Sequence, residues 1–234
     1  MRPKLTSDHK DKSVTNNPFE DGLLQLSGSD ALQFLQGQTT ANFDNAQPCD
    51  VRQGAFCNPK GRILADVLSV VIAEDTILMR SRIPVLIALQ KHLTPYLAFS
   101  KSKLTLLDWL IEVWQDVKTV SSNDLSNAEL HFNEKNLVEV HVDRGEGFTE
   151  IWRNSKATDL LYSQHRVDST LLDIEQGQAR IEQETIGAFL PQDLNYDLSG
   201  TVNFQKGCYT GQEIIARLHF RGTPKRRLFR AQLI

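Results

Sequence analysis

The sequence predicts an α+β fold built from two related halves, and three observations carry that prediction. Short apolar runs with a two-residue period alternate with runs of helical period. The order strand, helix, hairpin, helix is followed by a similar second pass, although no repeat is visible in the residues themselves. The composition, 40% hydrophobic and 24% charged over 234 residues, is that of a chain with a real core. The halves are expected at roughly 18–108 and 109–222. A polar segment, 1–17, precedes them and reads as a disordered leader.

Taken in order, Leu23, Leu24 and Leu26 mark a strand. Ser29 to Gly37 reads as a helix, with Ser29 as its cap, Leu32 and Leu35 on one face and Gly37 at its end. Cys57-Asn-Pro-Lys-Gly61 is turn chemistry. Ile63 to Ile72 is a strand that pairs with Thr76 to Arg80 as a hairpin. Pro84 suits the first position of a helix towards Tyr96, which Pro95 should disturb near its end. Lys103 to Leu107 and Ile111 to Trp114 read as strands. Leu137 to Val142 and Phe148 to Trp152 flank the turn at 143–147 as a second hairpin. Helices are predicted near Lys156 to Gln164 and Ser169 to Gln176.

Bulk properties exclude several classes. The formal net charge of −3 gives no global attraction to nucleic acid or anionic membrane. Three cysteines, at 49, 57 and 208, make no disulfide framework and no C-x-x-C pair. Six histidines are scattered without metal-ligand spacing, and no metal is expected. Nucleotide-binding, zinc-protease and nucleophile-elbow motifs are missing. The N-terminus has no apolar run of a signal peptide, and Ile63–Ala73, interrupted by Asp66 and Ser69, is too short to span a bilayer. The expected compartment is the cytoplasm, with no membrane partner.

The chemistry concentrates at Lys206-Gly-Cys-Tyr-Thr-Gly-Gln-Glu213. Thr210 and Glu213 match a capping box before Ile214 and Ile215, so a helix should begin at about Gly211. Cys208 would then lie near the positive end of that helix, with Lys206 close by, and both effects favour a thiolate. The alternative is a small buried hydrophobe, as most free cysteines are. Beyond Ile214 come Arg217, Arg221, Lys225, Arg226, Arg227 and Arg230 with no acid after them. They either touch phosphates or a polyglutamate tail, or simply face water. Asp66, in an otherwise apolar strand, is either a pocket carboxylate or held by neighbours.

The octapeptide closely resembles the hallmark of the YgfZ family of folate-binding proteins, relatives of the glycine-cleavage T-protein (aminomethyltransferase). Weaker matches follow in the same order: Leu35 to Ala41, Cys57 to Arg62, Phe99 to Lys101, Ile174 to Gly177, Pro191-Gln192 with Asn195, and Phe220 to Gly222. The resemblance implies a folate-binding T-protein-like fold. Two interlocked ferredoxin-like halves would surround a central hole, with residues 223–234 as the beginning of a C-terminal β-barrel that is otherwise missing. It further implies a tetrahydrofolate or folate derivative held by Gln38, Asn58, Lys60, Glu175, Gln192, Asn195, Tyr209 and Gln212. Cys208, Lys206 and Asp66 would be the catalytic candidates. The implied role is accessory: support of iron–sulfur cluster assembly or repair in enzymes, including those that thiomethylate tRNA, with those enzymes or their assembly factors as partners and only weak or indirect contact with tRNA. The alternative is a tetrahydrofolate-dependent aminomethyl or one-carbon transferase. Against it, the T-protein's two adjacent acids fall here on Ala65-Asp66, and aromatic positions near folate fall on Asp21 and Ser169.

Overall fold

The structure, a computed structural model, describes residues 20–115, 127–134, 136–155 and 166–231. The leader at 1–17 and the helix predicted at Lys156 to Gln164 lie outside the described residues. The first part of the chain runs β1 (Asp21–Ser27), α1 (Ala31–Gln38), β2 (Val51–Cys57), β3 (Ile63–Ala73), β4 (Thr76–Arg82), α2 (Ile83–Leu97) and β5 (Lys103–Leu107). The second part runs β6 (Trp109–Gln115), β7 (Ala128–Asn133), β8 (Asn136–Gly145), β9 (Phe148–Asn154), β10 (Arg166–Val167), α3 (Ser169–Glu175) and α4 (Gln212–Arg221). Two single turns of 3-10 helix, Gln183–Thr185 and Pro191–Leu194, lie between α3 and α4.

Each part supplies one five-stranded antiparallel sheet, ordered β2-β3-β4-β1-β5 and β10-β6-β9-β8-β7. Strands β1 and β4 are buried on both faces. Leu24, Leu26, Ile77 and Met79 face a core shared with α1 and α2. Leu23 and Leu78 face the second sheet, where they meet Val140, Val142 and Trp152. Successive side chains of a strand point to opposite faces, so a strand between two layers must be apolar at nearly every position. The chain also crosses back. Ile181, Leu194, Tyr196, Val202, Tyr209 and Ile215 all pack into the core of the first sheet, so the two parts interlock. No closed barrel is found among the described residues.

Several local details differ from the sequence reading. β2 and β7 were not expected as strands. α1 has no side-chain cap at its start, and it runs through Gly37 to Gln38. Pro95 lies inside α2; in the last turn its missing N–H removes only one intrahelical bond.

Candidate functional site

The two-residue period explains an unexpected feature between the sheets. The face of β4 that begins with Leu78 continues to Arg80 and Arg82. The face of β3 with Val70 and Leu68 continues to Asp66, that of β8 with Val140 and Val142 to Arg144, and that of β9 with Trp152 to Glu150. The apolar contact between the sheets therefore turns into a buried cluster of charge. Glu150, fully buried, accepts from Arg80 Nε at 2.7 Å, from Arg80 Nη2, from Arg144 Nη1 and from Trp152 Nε1 at 2.7 Å. Arg180 bridges Asp66, at 2.9 Å, Asp21, at 3.1 Å, and Asp173, at 3.2 Å. Arg144 Nη2 donates to Asp173 at 2.6 Å. Burial disfavours charge on Asp21, yet Arg180, Arg80 and Arg82 hold its carboxyl below the usual carboxylate range.

Two cavities border this cluster. The smaller, about 330 Å³, is lined by Asp66, Arg80, Arg144, Gln178 and Arg180 among others. The larger, about 630 Å³, shares Gln178 and Arg180 with it. Its walls include Phe189, Phe229, Glu182 and Arg230. Both volumes fall in the range of small-molecule sites. Glu182 accepts from Arg82 Nε at 2.9 Å through Oε1. Its Oε2 is buried with no hydrogen-bond partner among the described residues, which is costly unless a ligand or water donates to it.

The octapeptide lies elsewhere. Lys206 is buried and donates to the carbonyls of Gln36 at 2.8 Å, Thr39 at 2.7 Å and Ala41 at 2.6 Å. One side chain thus satisfies the open C-terminal end of α1 and the turn after it. Burial pushes the Lys206 pKa down to about 8, so at pH 7 it remains mostly an ammonium with all three donors engaged. Lys206, read from the sequence as a cation close to the thiol, is thus engaged by three backbone carbonyls. The capping box is likewise not formed: Gly211 is the N-cap, at φ 85°, with no side-chain cap bond, and Thr210 Oγ1 approaches Gln38 Oε1 at 3.4 Å instead.

Cys208 is exposed, whereas Cys57 is buried and Cys49 half-buried. Burial pushes the Cys57 thiol up to about 12. Gly211 is wedged against the Cys57–Arg62 turn: a Cβ there would stand 2.5 Å from the Asn58 carbonyl oxygen. Gly211→Ala therefore combines left-handed strain with a backbone clash. It is expected to cost about 2–3 kcal/mol, seen as a lower urea midpoint, and an unchanged midpoint would mean that the turn yields freely.

The predicted residues consequently divide. Cys208, Lys206, Tyr209, Gln212, Gln38, Asn58 and Lys60 belong to the octapeptide, to α1 and to the turn packed against them. Tyr209 is buried in the core, and Asn58 Oδ1 closes its own turn by accepting from Lys60 N and Arg62 N. Asp66 faces the second sheet and lines the smaller cavity, with both oxygens occupied by Arg180 Nε and by Ile181 N at 2.8 Å. Asn195 lines the larger cavity. Gln192 is buried and donates to the Ile215 carbonyl, while Glu175 is exposed. None of the octapeptide residues lines either cavity. Sequence reasoning missed Arg80, Arg144, Glu150, Asp173, Arg180 and Glu182. Three of the basic residues near the chain end are engaged with the protein itself: Arg226 with Asp193, Arg227 with Asp197, and Arg230 with the Glu175 carbonyl.

No family model matches the chain. Curated relatives do. The chain is 28% identical over 231 residues to a protein of Klebsiella pneumoniae called tRNA-modifying protein YgfZ, covering 88% of this chain and 68% of that one. It is 29% identical over 252 residues to the protein of that name in Yersinia enterocolitica, covering 97% and 73%, and 27% identical to that of Hamiltonella defensa, covering 89% and 66%. This chain is a relative of the YgfZ proteins. It spans about two thirds of the length of those YgfZ relatives. A solved structure, the glycine cleavage system aminomethyltransferase T from Bartonella henselae, superimposes with a TM-score of 0.59 at 13% identity, covering 86% of this chain and 62% of that one. That likeness carries the T-protein-like fold alone. The octapeptide that pointed to YgfZ is the segment the structure pins against α1 and the Cys57–Arg62 turn.

Proposed function

We propose that the chain is a cytoplasmic, folate-binding accessory protein that supports iron–sulfur cluster assembly or repair in enzymes, including those that thiomethylate tRNA. Cys208 is its working thiol. The observation that carries this reading is the contrast among the cysteines: the octapeptide holds Cys208 at the surface on a rigid clamp, while Cys57 is closed in the core. An exposed thiol on a fixed backbone suits transfer to or from a partner rather than packing.

The larger cavity fits a folate. A pteridine is flat and presents adjacent N–H donors, and its tail carries carboxylates. Glu182 Oε2 lacks a donor, Phe189 and Phe229 offer apolar faces, and Arg230 carries positive charge. Glu182 would accept from the pteridine, the two phenylalanines would hold its faces, and Arg230 would meet the tail. Tetrahydrofolate, when bound, carries one-carbon units. The transferase reading has less support, because Arg180 and Ile181 occupy both oxygens of Asp66.

The test uses cells lacking their own relative of this chain. Thiomethylated adenosine in tRNA is measured after supplying the wild type or Cys208→Ala. Restoration by the wild type alone is expected. Full restoration by the variant removes the thiol role, and restoration by neither removes the accessory role for this chain.

A further inference from the structure

The outer face of the second sheet carries a second constellation, independent of the folate reading. Glu129-Leu-His131 on β7 and Glu139-Val-His141 on β8 are two short Glu-x-His units. The antiparallel register sets Glu129 opposite His141 and His131 opposite Glu139. All four side chains therefore share one face, opposite the face on which Leu130 and Val140 pack towards the first sheet. Their spacing in sequence is uninformative, but the register makes it a two-by-two block.

We propose that Glu129, His131 and His141 form a binding site for Zn²⁺, with Glu139 orienting His141. One donor atom from each of the three lies within 4.8 Å of the others. Donors about 2.0–2.1 Å from a tetrahedral zinc stand about 3.3 Å apart. Closing the difference takes a rotation of His131, which is exposed and whose Nε2 lies 3.8 Å from Glu129 Oε2. The two imidazole centroids are already 4.2 Å apart. Glu139 Oε2 lies 3.0 Å from His141 Nε2, the arrangement by which a carboxylate fixes the ring of a ligating histidine. Two imidazoles and a carboxylate suit zinc over magnesium or calcium, which prefer all-oxygen sites. Glu129 and Glu139 together balance the two positive charges.

The whole chain, carrying Cys208→Ala so that the accessible thiol does not compete, is titrated with zinc chloride by calorimetry. One zinc per chain is expected. His131→Ala and Glu129→Gln should each weaken binding by at least about 10-fold, with circular dichroism unchanged because both positions are at least partly exposed. Cobalt(II) added to the parent should give the visible absorption of a tetrahedral site, and His131→Ala should lose it. Equal zinc affinity in parent and variants, or no one-to-one binding at micromolar zinc, overturns the site and leaves the four residues as a cross-strand electrostatic pairing.

Discussion

Replacing Glu150 with alanine should destabilise the protein by about 3–5 kcal/mol, because it strands buried charges. Arg80 and Arg144 would lose their shared carboxylate, and Trp152 Nε1 would lose its acceptor. A urea titration should show a lower midpoint at unchanged slope. A loss below about 1 kcal/mol for Glu150→Ala would mean that the arginines find water or other acids. The same carboxylate sets an acid dependence. Burial raises its pKa, but Arg80, Arg144 and the hydrogen bonds from Arg80 and Trp152 more than reverse this and hold it far below the ordinary 4.5. Its folded pKa is depressed, so its contribution is full above 4.5 and drains as pH falls through the folded value. Glu150→Gln should flatten that part of the acid limb. The cluster also walls both cavities, through Asp173 and Arg180 in the larger and through Asp66, Arg80, Arg144 and Arg180 in the smaller.

Much of the fold was legible because it rests on local patterns. β3 and β4 show as a hairpin, and Pro84 marks the start of α2. β2 was not legible: Arg52, Gln53 and Gly54 break its apolar alternation, and only pairing with β3 makes Val51–Cys57 a strand. β7 does keep the alternation, Ala128, Leu130 and Phe132 with Glu129 and His131 between them, so its signal was present in the sequence. The capping box at Thr210 was a sound pattern overruled by tertiary contact, since Gly211 must turn left-handed to pass the Asn58 carbonyl. The buried charges had a signal, namely charges that continue the two-residue face of an apolar strand. What no local window holds is their partners: Arg80 meets Glu150 seventy residues away, and Asp66 meets Arg180 after 114.

Lys206 and Cys208 are two residues apart, and their variants should behave in opposite ways. Lys206→Met removes the donor for three carbonyls at once. At about 1 kcal/mol per lost bond it should cost about 3 kcal/mol. Cys208→Ala, at an exposed position, should change stability by less than about 0.5 kcal/mol while abolishing function. Urea midpoints measure the first difference. Reaction with a thiol reagent measures the second: the most rapidly reacting thiol of the native wild type should be lost in Cys208→Ala, with half-buried Cys49 reacting more slowly and Cys57 only on unfolding. If Cys208→Ala proves as destabilising as Lys206→Met, the cysteine is a packing residue and the working-thiol reading falls. If Lys206→Met is neutral, the ammonium is not a clamp and becomes available to the chemistry instead. The expected split assigns the two residues to one device, in which a buried cation fixes the backbone so that an exposed sulfur is presented in a single place.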